Sequence, residues 1–352
     1  MRLALAIGDA GGVGPELAAK LLAHEDMQGR DVIVVGDASV LKMGAEHAGV
    51  TLDLPVIHSE DMADLPVGPV LIDLSNCPAE QIKLGISSPE TGAASLQNFA
   101  AVLRLANAGI ADAVMFTPYN KHSMRLARPS YVDEIGFIDM TLDAKSSGRE
   151  FNVLDEVWNA RVTSHIPLRK VAETLSTERI LNSLRLTSEV MAGAGKPGAR
   201  IAVAALNPHA GDGRNFGHED DDIIAPAVKA AMAEGIPATG PIPSDTVFVR
   251  ATRGEFDAVL TMYHDQGQIA MKLIGFDRGV TLIAGYGFPI VTPAHGTAFD
   301  IAGQGKADLG ATLTAARLGY DLAKLNPKRD GIVPLAAGWR TEEVRPSAMM
   351  AE

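Results

Sequence analysis

Short aliphatic and β-branched runs recur along the chain, separated by segments of helical length. Leu3–Ile7, Val32–Val35, Val70–Leu74, Ala113–Thr117, Ile201–Ala205, Ala258–Thr261 and Val280–Ile283 are nearly unbroken in apolar residues. A strand with one wet face alternates polar and apolar residues, so unbroken runs predict strands covered on both faces. Helical patterns fill Pro15–Ala23, Pro89–Ala108, Ser176–Ala192, Glu219–Ala233 and Ala307–Ala323. Strand–helix alternation of this kind predicts an α/β fold with mainly parallel sheets. No internal repeat or low-complexity segment interrupts it. The tail after Lys324 is polar and contains proline, and its last residues are expected to fray.

Composition narrows the function more than the fold. A chain of 352 residues accommodates about two ordinary domains. Its net charge of −12 repels phosphate backbones, and no Lys/Arg run offsets it, so a nucleic-acid partner is not expected. One cysteine, Cys77, excludes a disulfide framework and a cysteine-based zinc site, and it fits a reducing cytoplasm. The start has about six apolar residues before Asp9, too few for a secretory leader. The longest uncharged stretch, Gly279–Phe299, is broken by four glycines, two prolines and His295, so it reads as strand and loop and not as a membrane span. A cytoplasmic protein acting on a small molecule is the expectation.

Four segments offer chemistry. Gly8–Glu16 (Gly-Asp-Ala-Gly-Gly-Val-Gly-Pro-Glu) follows a strand and opens a helix. It is either a simple turn or a place where backbone N–H groups and a helix N-terminus meet an anion. Gly193, Gly195 and Gly198 spell G-x-G-x-x-G, but after a helix and before a strand, which is the wrong order for a dinucleotide fingerprint. His165, His209 and His264 stand at loop positions, the last two soon after apolar runs. There they are either structural histidines or three ligands of a divalent metal with one position open. Tyr263-His264-Asp265-Gln266-Gly267 with Lys272 places an acid, a base and a cation in one stretch. Lys272 is either a solvated helical lysine or, if desolvated, a base near neutral pH. The glycine-rich stretch His295–Asp308 is either a plain loop or a seat for a flat or phosphate-bearing ligand.

Together, Gly8–Glu16, Thr117–Lys121, His165–Leu168, Leu206–Gly211, Pro243–Thr246, Tyr263–Gly267 and His295–Asp308 resemble the 4-hydroxythreonine-4-phosphate dehydrogenase family, in the family's order and over nearly the whole chain. The His295–Asp308 and Gly8–Glu16 segments also resemble isopropylmalate and isocitrate dehydrogenases. The resemblance implies two α/β/α domains with a cleft between, in the isocitrate/isopropylmalate dehydrogenase manner. By that analogy residues 1–122 plus 278–352 bind the cofactor, and residues 123–277 bind the metal and form the dimer. It further implies a homodimer with the active site at the interface. His165, His209 and His264 would be the metal ligands, with His165 donated across the interface. Zinc is the leading metal, with cobalt, nickel, iron or magnesium open. Lys272 would bind substrate. Lys272, Asp265 or a metal-bound hydroxide is the base, and Asp245 is a further acid/base candidate. His295, Gly296, Thr297, Ala298 and Asp300 would hold the adenosine half of NAD or NADP.

The chain departs from the family at substrate positions. Where the family has Gly-His-Thr-Glu, this chain has Tyr131-Val132-Asp133-Glu134. A substrate-contacting Asn and Arg of the family stand here as Thr281 and Ile290. A dianionic phosphate needs donors and positive charge. Asp133 against it would repel by on the order of a few kcal/mol. The expectation that follows is an unphosphorylated hydroxy acid, with terephthalate 1,2-cis-dihydrodiol, oxidised to protocatechuate, as the leading candidate. Val132 and Ile290 would face the ring, and Asp133 a diol hydroxyl. The alternative is 4-hydroxythreonine-4-phosphate dehydrogenase itself, in pyridoxal phosphate biosynthesis. A four-carbon sugar-acid phosphate dehydrogenase, a metal hydrolase or lyase and a solute-binding protein are more distant readings.

Overall fold

The computed structural model describes residues 1–57, 62, 64–145, 147–275, 277–325 and 332–340. The chain divides into two compact units, residues 1–148 with 283–352 and residues 149–282. Unit 1 begins with β1 (Arg2–Ala6), α1 (Gly14–Ala23), β2 (Asp31–Gly36), α2 (Ala38–Ala48), β3 (Val56–Ile57) and β4 (Pro69–Asp73). It continues with α3 (Pro89–Asn107), β5 (Ala113–Phe116), α4 (Lys121–Ala127) and α5 (Glu134–Leu142). Unit 2 holds β6 (Arg149–Val153), β7 (Trp158–Arg161), α6 (Val171–Thr174), α7 (Thr177–Gly193) and β8 (Ile201–Ala204). Then come α8 (Ala225–Ala233), β9 (Ala238–Ile242), α9 (Ser244–Thr252), β10 (Ala258–Thr261) and α10 (His264–Gly275). The chain returns through β11 (Val280–Ala284) and β12 (Ile290–Pro293) to α11 (Gly310–Leu325).

In unit 1 the strands run in the order β3-β4-β2-β1-β5-β12, parallel throughout. Alternate residues of β1 serve opposite faces, as the two-residue period requires. Ala4 and Ala6 pack with Phe99, Val102 and Leu103 of α3. Leu3 lies against Gly319 of α11 on the other side. Both faces are therefore covered, which is why these strands read as unbroken apolar runs. Residues 123–148, which the sequence reading placed in the second domain, belong to unit 1. The cause is α3, against which α4 and α5 pack. Trp339 of the tail is buried in the same core, and its carbonyl accepts a hydrogen bond from Arg104 at 2.8 Å. The last residues of the tail, expected to fray, lie outside the described residues.

In unit 2 the order is β6-β7-β10-β8-β9. Only the β6–β7 pair is antiparallel. Ala202, Ala204 and Val259 form a core with Val247, Phe248 and Ala251 of α9 and Met271 of α10. Helices α7 and α8 pack together and lie against β7, β10 and β9. Three strands of this sheet escape the apolar pattern, among them β6, which reads Arg-Glu-Phe-Asn-Val. Strand β7 reads Trp-Asn-Ala-Arg and is entirely buried. Asn159 is tolerated because its amide donates to the carbonyls of Ala160 and Val259, both at 3.0 Å. Strand β9 carries Gly240 and Pro241, residues that read as a turn.

Candidate functional site

Parallel neighbours deliver the loops at their carboxyl ends to one edge of the sheet. In unit 2 those neighbours are β7, β10, β8 and β9. His165 follows β7, His264 opens α10 just after β10, His209 follows β8, and Asp245 lies in the first turn of α9 after β9. The sheet order thus turns three scattered histidines and an acid into occupants of one edge. The segments leading to His165 and His264 are bonded to each other. Met262 O accepts the Thr163 N–H at 3.1 Å and the Thr163 hydroxyl at 2.7 Å. The two imidazole rings stand 5.6 Å apart between centroids.

His264 Nδ1 lies 2.7 Å from Asp265 Oδ1. A carboxylate on one ring nitrogen fixes the ring and leaves Nε2 as the ligating nitrogen. Two imidazoles sharing one tetrahedral ion at zinc–nitrogen distances of about 2.0–2.1 Å have centroids roughly 5 Å apart, so the pair fits two coordination positions. His165 and His209 both have left-handed backbones, with φ of 45° and 54°. Such strain in a non-glycine residue collects where a side chain must be aimed. The described residues of a single chain nevertheless gather no group of three or more His, Cys, Asp or Glu side chains about one point. The structure brings His165 and His264 together and holds His209 on the same edge without closing the set. Asp245 and Lys272 are both exposed. Lys272 sits two turns beyond His264 on α10, about 12 Å along the axis.

Gln266, within the Tyr263–Gly267 motif, ties the strand ends of this edge together, a role the motif does not reveal. Its carbonyl accepts the Met262 N–H at 2.6 Å, and its amide donates to Ala205 O at 2.6 Å and to Ser244 Oγ at 2.8 Å. One side chain therefore ties the ends of β10 and β8 to the start of α9. Replacing Gln266 with leucine is expected to cost about 2–3 kcal/mol of stability, because a partly buried N–H and carbonyl lose their partner. A urea titration checks this, and a midpoint equal to wild type would refute the tie. No sequence pattern marks Gln266, since its partners are 4, 22 and 61 residues away.

In unit 1 the stretch from His295 packs on the turn after β1. Thr297 O accepts the Val13 N–H at 3.0 Å. A Cβ on Gly12 would stand 2.7 Å from that same oxygen, so only glycine permits the approach. Ala298 takes a left-handed backbone, φ 42°. His295, with Nδ1 3.0 Å from Gly296 O, is half-buried. Asp300 is exposed in the single turn Phe299–Ile301. The far end of the loop is clasped by α1. Buried Glu16 accepts the Ala307 N–H at 2.9 Å and Lys20 Nζ at 2.7 Å. Lys20 also donates to Gly305 O and Ala307 O. The Glu16–Lys20 spacing of one helical turn was the available signal for this clasp. Beneath the turn, burial pushes the Asp9 carboxyl above its usual range, against the opposing Gly11 N–H bond at 2.8 Å.

The expected substrate positions fare differently. Ile290 is 0% exposed within the core of unit 1, so it has no surface to offer a ring. Asp133 caps α5, its Oδ1 accepting the Gly136 N–H at 2.9 Å. The helix cap is what places this carboxylate. Val132 is 62% exposed, and Thr281 is half-buried on β11.

Two α/β units, one with a histidine-bearing strand edge and one with a glycine-rich loop at a helix start, define a two-unit α/β enzyme of the dehydrogenase type. Its architecture is shared with a β-decarboxylating dehydrogenase from Thermococcus kodakarensis, at 17% identity, TM-score 0.50 and coverage of 91% of this chain and 83% of that one. The model of the family "Pyridoxal phosphate biosynthetic protein PdxA" matches residues 28–319, and the chain belongs to that family. It is 52% identical over 324 residues to a "Putative 4-hydroxythreonine-4-phosphate dehydrogenase 2" of Rhizobium meliloti, covering 92% of this chain and 93% of the relative. The 4-hydroxythreonine-4-phosphate dehydrogenase of Klebsiella pneumoniae superposes at TM-score 0.78, with 32% identity and coverage of 92% and 99%. A terephthalate 1,2-cis-dihydrodiol dehydrogenase from Burkholderia xenovorans is less similar, at TM-score 0.63, 29% identity and coverage of 91% and 98%.

The chain is an oxidoreductase, and its family implies a nicotinamide cofactor, a divalent metal and a small-molecule substrate. No helix among the described residues is long and apolar enough to cross a membrane. The expectation of an unphosphorylated aromatic dihydrodiol is overturned. The 52% identical relative and the better-superposing structure are named for the phosphorylated hydroxy acid. Of the positions expected to contact substrate, Ile290 is a core residue and Asp133 caps a helix.

Proposed function

We propose that the chain oxidises and decarboxylates 4-hydroxythreonine 4-phosphate in pyridoxal phosphate biosynthesis. The observation that carries this reading is the delivery of His165, His264, His209 and Asp245 to one strand edge, in a chain 52% identical to a relative of that name. A divalent ion held by His165, His209 and His264, zinc in our reading, would supply Lewis-acid stabilisation of negative charge on the substrate oxygens. The substrate hydroxyl proton passes to a base, for which Lys272, Asp265 and Asp245 are the candidates. NAD bound at the loop would supply the acceptor for the carbinol hydride, and the β-keto acid left by that oxidation would release carbon dioxide. The loop His295–Asp300, seated on Gly12, would hold the adenosine half of the cofactor, and Thr281 and Val132 lie on elements we assign to substrate contact.

The second part of the reading is a homodimer. A groove of about 520 Å³ runs between α9 and α10 beside Asp245 and Asp265. It is apolar, with Ile269 61% and Leu273 83% exposed. A second copy seated there would cover this face.

The test follows NADH absorbance with metal-loaded protein, comparing 4-hydroxythreonine 4-phosphate with unphosphorylated 4-hydroxythreonine. Turnover of the phosphate ester is expected, with the free amino acid ~100-fold poorer through loss of charge-assisted hydrogen bonds. Equal rates, or no NADH from the ester, would reject the proposal.

A further inference from the structure

We propose that Asp220 is a positioning residue for His209, holding the strained turn from which that imidazole projects. The inference rests on the reading of His209 as a metal ligand. His209 and Ala210 are consecutive non-glycine residues with left-handed backbones, both at φ 54°, and Asp212 follows at φ 43°. Each such residue is disfavoured for an L-amino acid and persists only where its surroundings over-determine it. The turn itself supplies little restraint, since Ala210 N–H to Asn207 O at 3.2 Å and Asp212 N–H to His209 O at 3.2 Å are both long.

The restraint comes from Asp220, which is 0% exposed. Its Oδ1 accepts the Leu206 N–H at 2.8 Å. Its Oδ2 accepts the Asn207 N–H at 3.0 Å and the Asn207 side-chain amide at 2.9 Å. Three donors from the two residues before Pro208 converge on one carboxylate, and charged hydrogen bonds are the stronger kind. The carboxylate is itself anchored, because the helical turn Asp220–Ile224 runs directly into α8, with Ile224 and Ala227 fully buried. Asn207 is wedged from the far side, where a Cβ on Gly217 would stand 2.5 Å from its amide. Glu219 adds a bond from the Asn207 amide at 2.8 Å, while Asp222 pairs with Arg214 and His218 in solvent. In the run Glu219–Asp222 only Asp220 is fully buried and accepts the backbone N–H groups of Leu206 and Asn207.

The experiment measures zinc affinity of the metal-free protein by competition with a chromogenic chelator, alongside thermal unfolding. His209→Ala establishes the ligand. Asp220→Asn places an amide among N–H donors and is expected to weaken zinc binding by ~10–100-fold, the range of losses for groups that orient ligands. Asn207→Ala removes the side-chain bonds to Asp220 and Glu219 but keeps the backbone bonds to Asp220. It is expected to weaken binding by about tenfold, the lower end of that range, so it carries the test if Asp220→Asn does not fold. Val247→Ala, in the unit 2 core and with an apolar side chain that makes no hydrogen bond to the turn, should lower the melting temperature and leave zinc affinity unchanged. Loss of affinity in His209→Ala, but not in Asp220→Asn or Asn207→Ala, would overturn the positioning role while the metal reading stands. An equal loss in Val247→Ala would reduce Asp220 to general stability and overturn it too. Unchanged affinity in His209→Ala would remove the metal reading and the inference together.

Discussion

Replacing His264 with alanine is expected to abolish useful turnover, lowering kcat by ~10³-fold or more. That is about 4 kcal/mol of transition-state stabilisation, the scale of a lost Lewis acid. The effect should be chemical and not structural. The His264 side chain is 39% exposed and pairs with the adjacent Asp265. Thermal stability without metal should therefore stay close to wild type. Asp265→Asn is the informative companion, because its Oδ1 still accepts a bond from Nδ1. It should cost only about tenfold, the lower end for a group that orients a ligand. NADH production under saturating substrate, with bound metal counted in the same samples, separates the two. A His264→Ala enzyme within tenfold of wild type would remove this histidine from the site.

The largest stability effect is expected at Gly92→Ala. Helix α3 crosses the first turn of α4 so closely that a Cβ on Gly92 would stand 1.9 Å from Ser123 O and 2.3 Å from its carbonyl carbon. Both are backbone atoms, which no rotamer change can move. The two helices must separate, at a cost of about 3 kcal/mol or more. Separation would also pull on Asn120, whose side chain accepts the His122 and Ser123 N–H groups, both at 2.9 Å, as the cap of α4. A fall in melting temperature of at least about 6 °C is expected. Gly287→Ala, where a Cβ meets nothing within 4 Å, should change stability by less than about 0.5 kcal/mol. Equal melting temperatures for the two variants would show that α3 and α4 can part freely.

The fold class and most of the sheet were legible in the residues themselves. Seven apolar runs mark strands because burial on both faces leaves no position for a polar side chain. The three histidines were legible as loop residues, and His209 and His264 as residues soon after apolar runs. What the sequence could not express is adjacency. Strands β7 and β9 lie in the sheet although Asn159, Arg161, Gly240 and Pro241 break their apolar pattern, and a local pattern does not record a hydrogen bond to a distant carbonyl. The order β7-β10-β8-β9, which places His165, His264, His209 and Asp245 on one edge, is a property of the assembled sheet. So are the ties through Gln266 and Asp220, whose partners lie up to 61 and 14 residues away.

Substrate preference was misjudged for the same reason. Aligned positions suggested that Asp133 and Ile290 had replaced phosphate contacts, whereas the structure turns one into a helix cap and buries the other. By itself the sequence determined which residue types are present and how they alternate, and hence the α/β class and the family. Tertiary structure decided which of those residues meet and which reach solvent, because burial is set by neighbours far away in the chain.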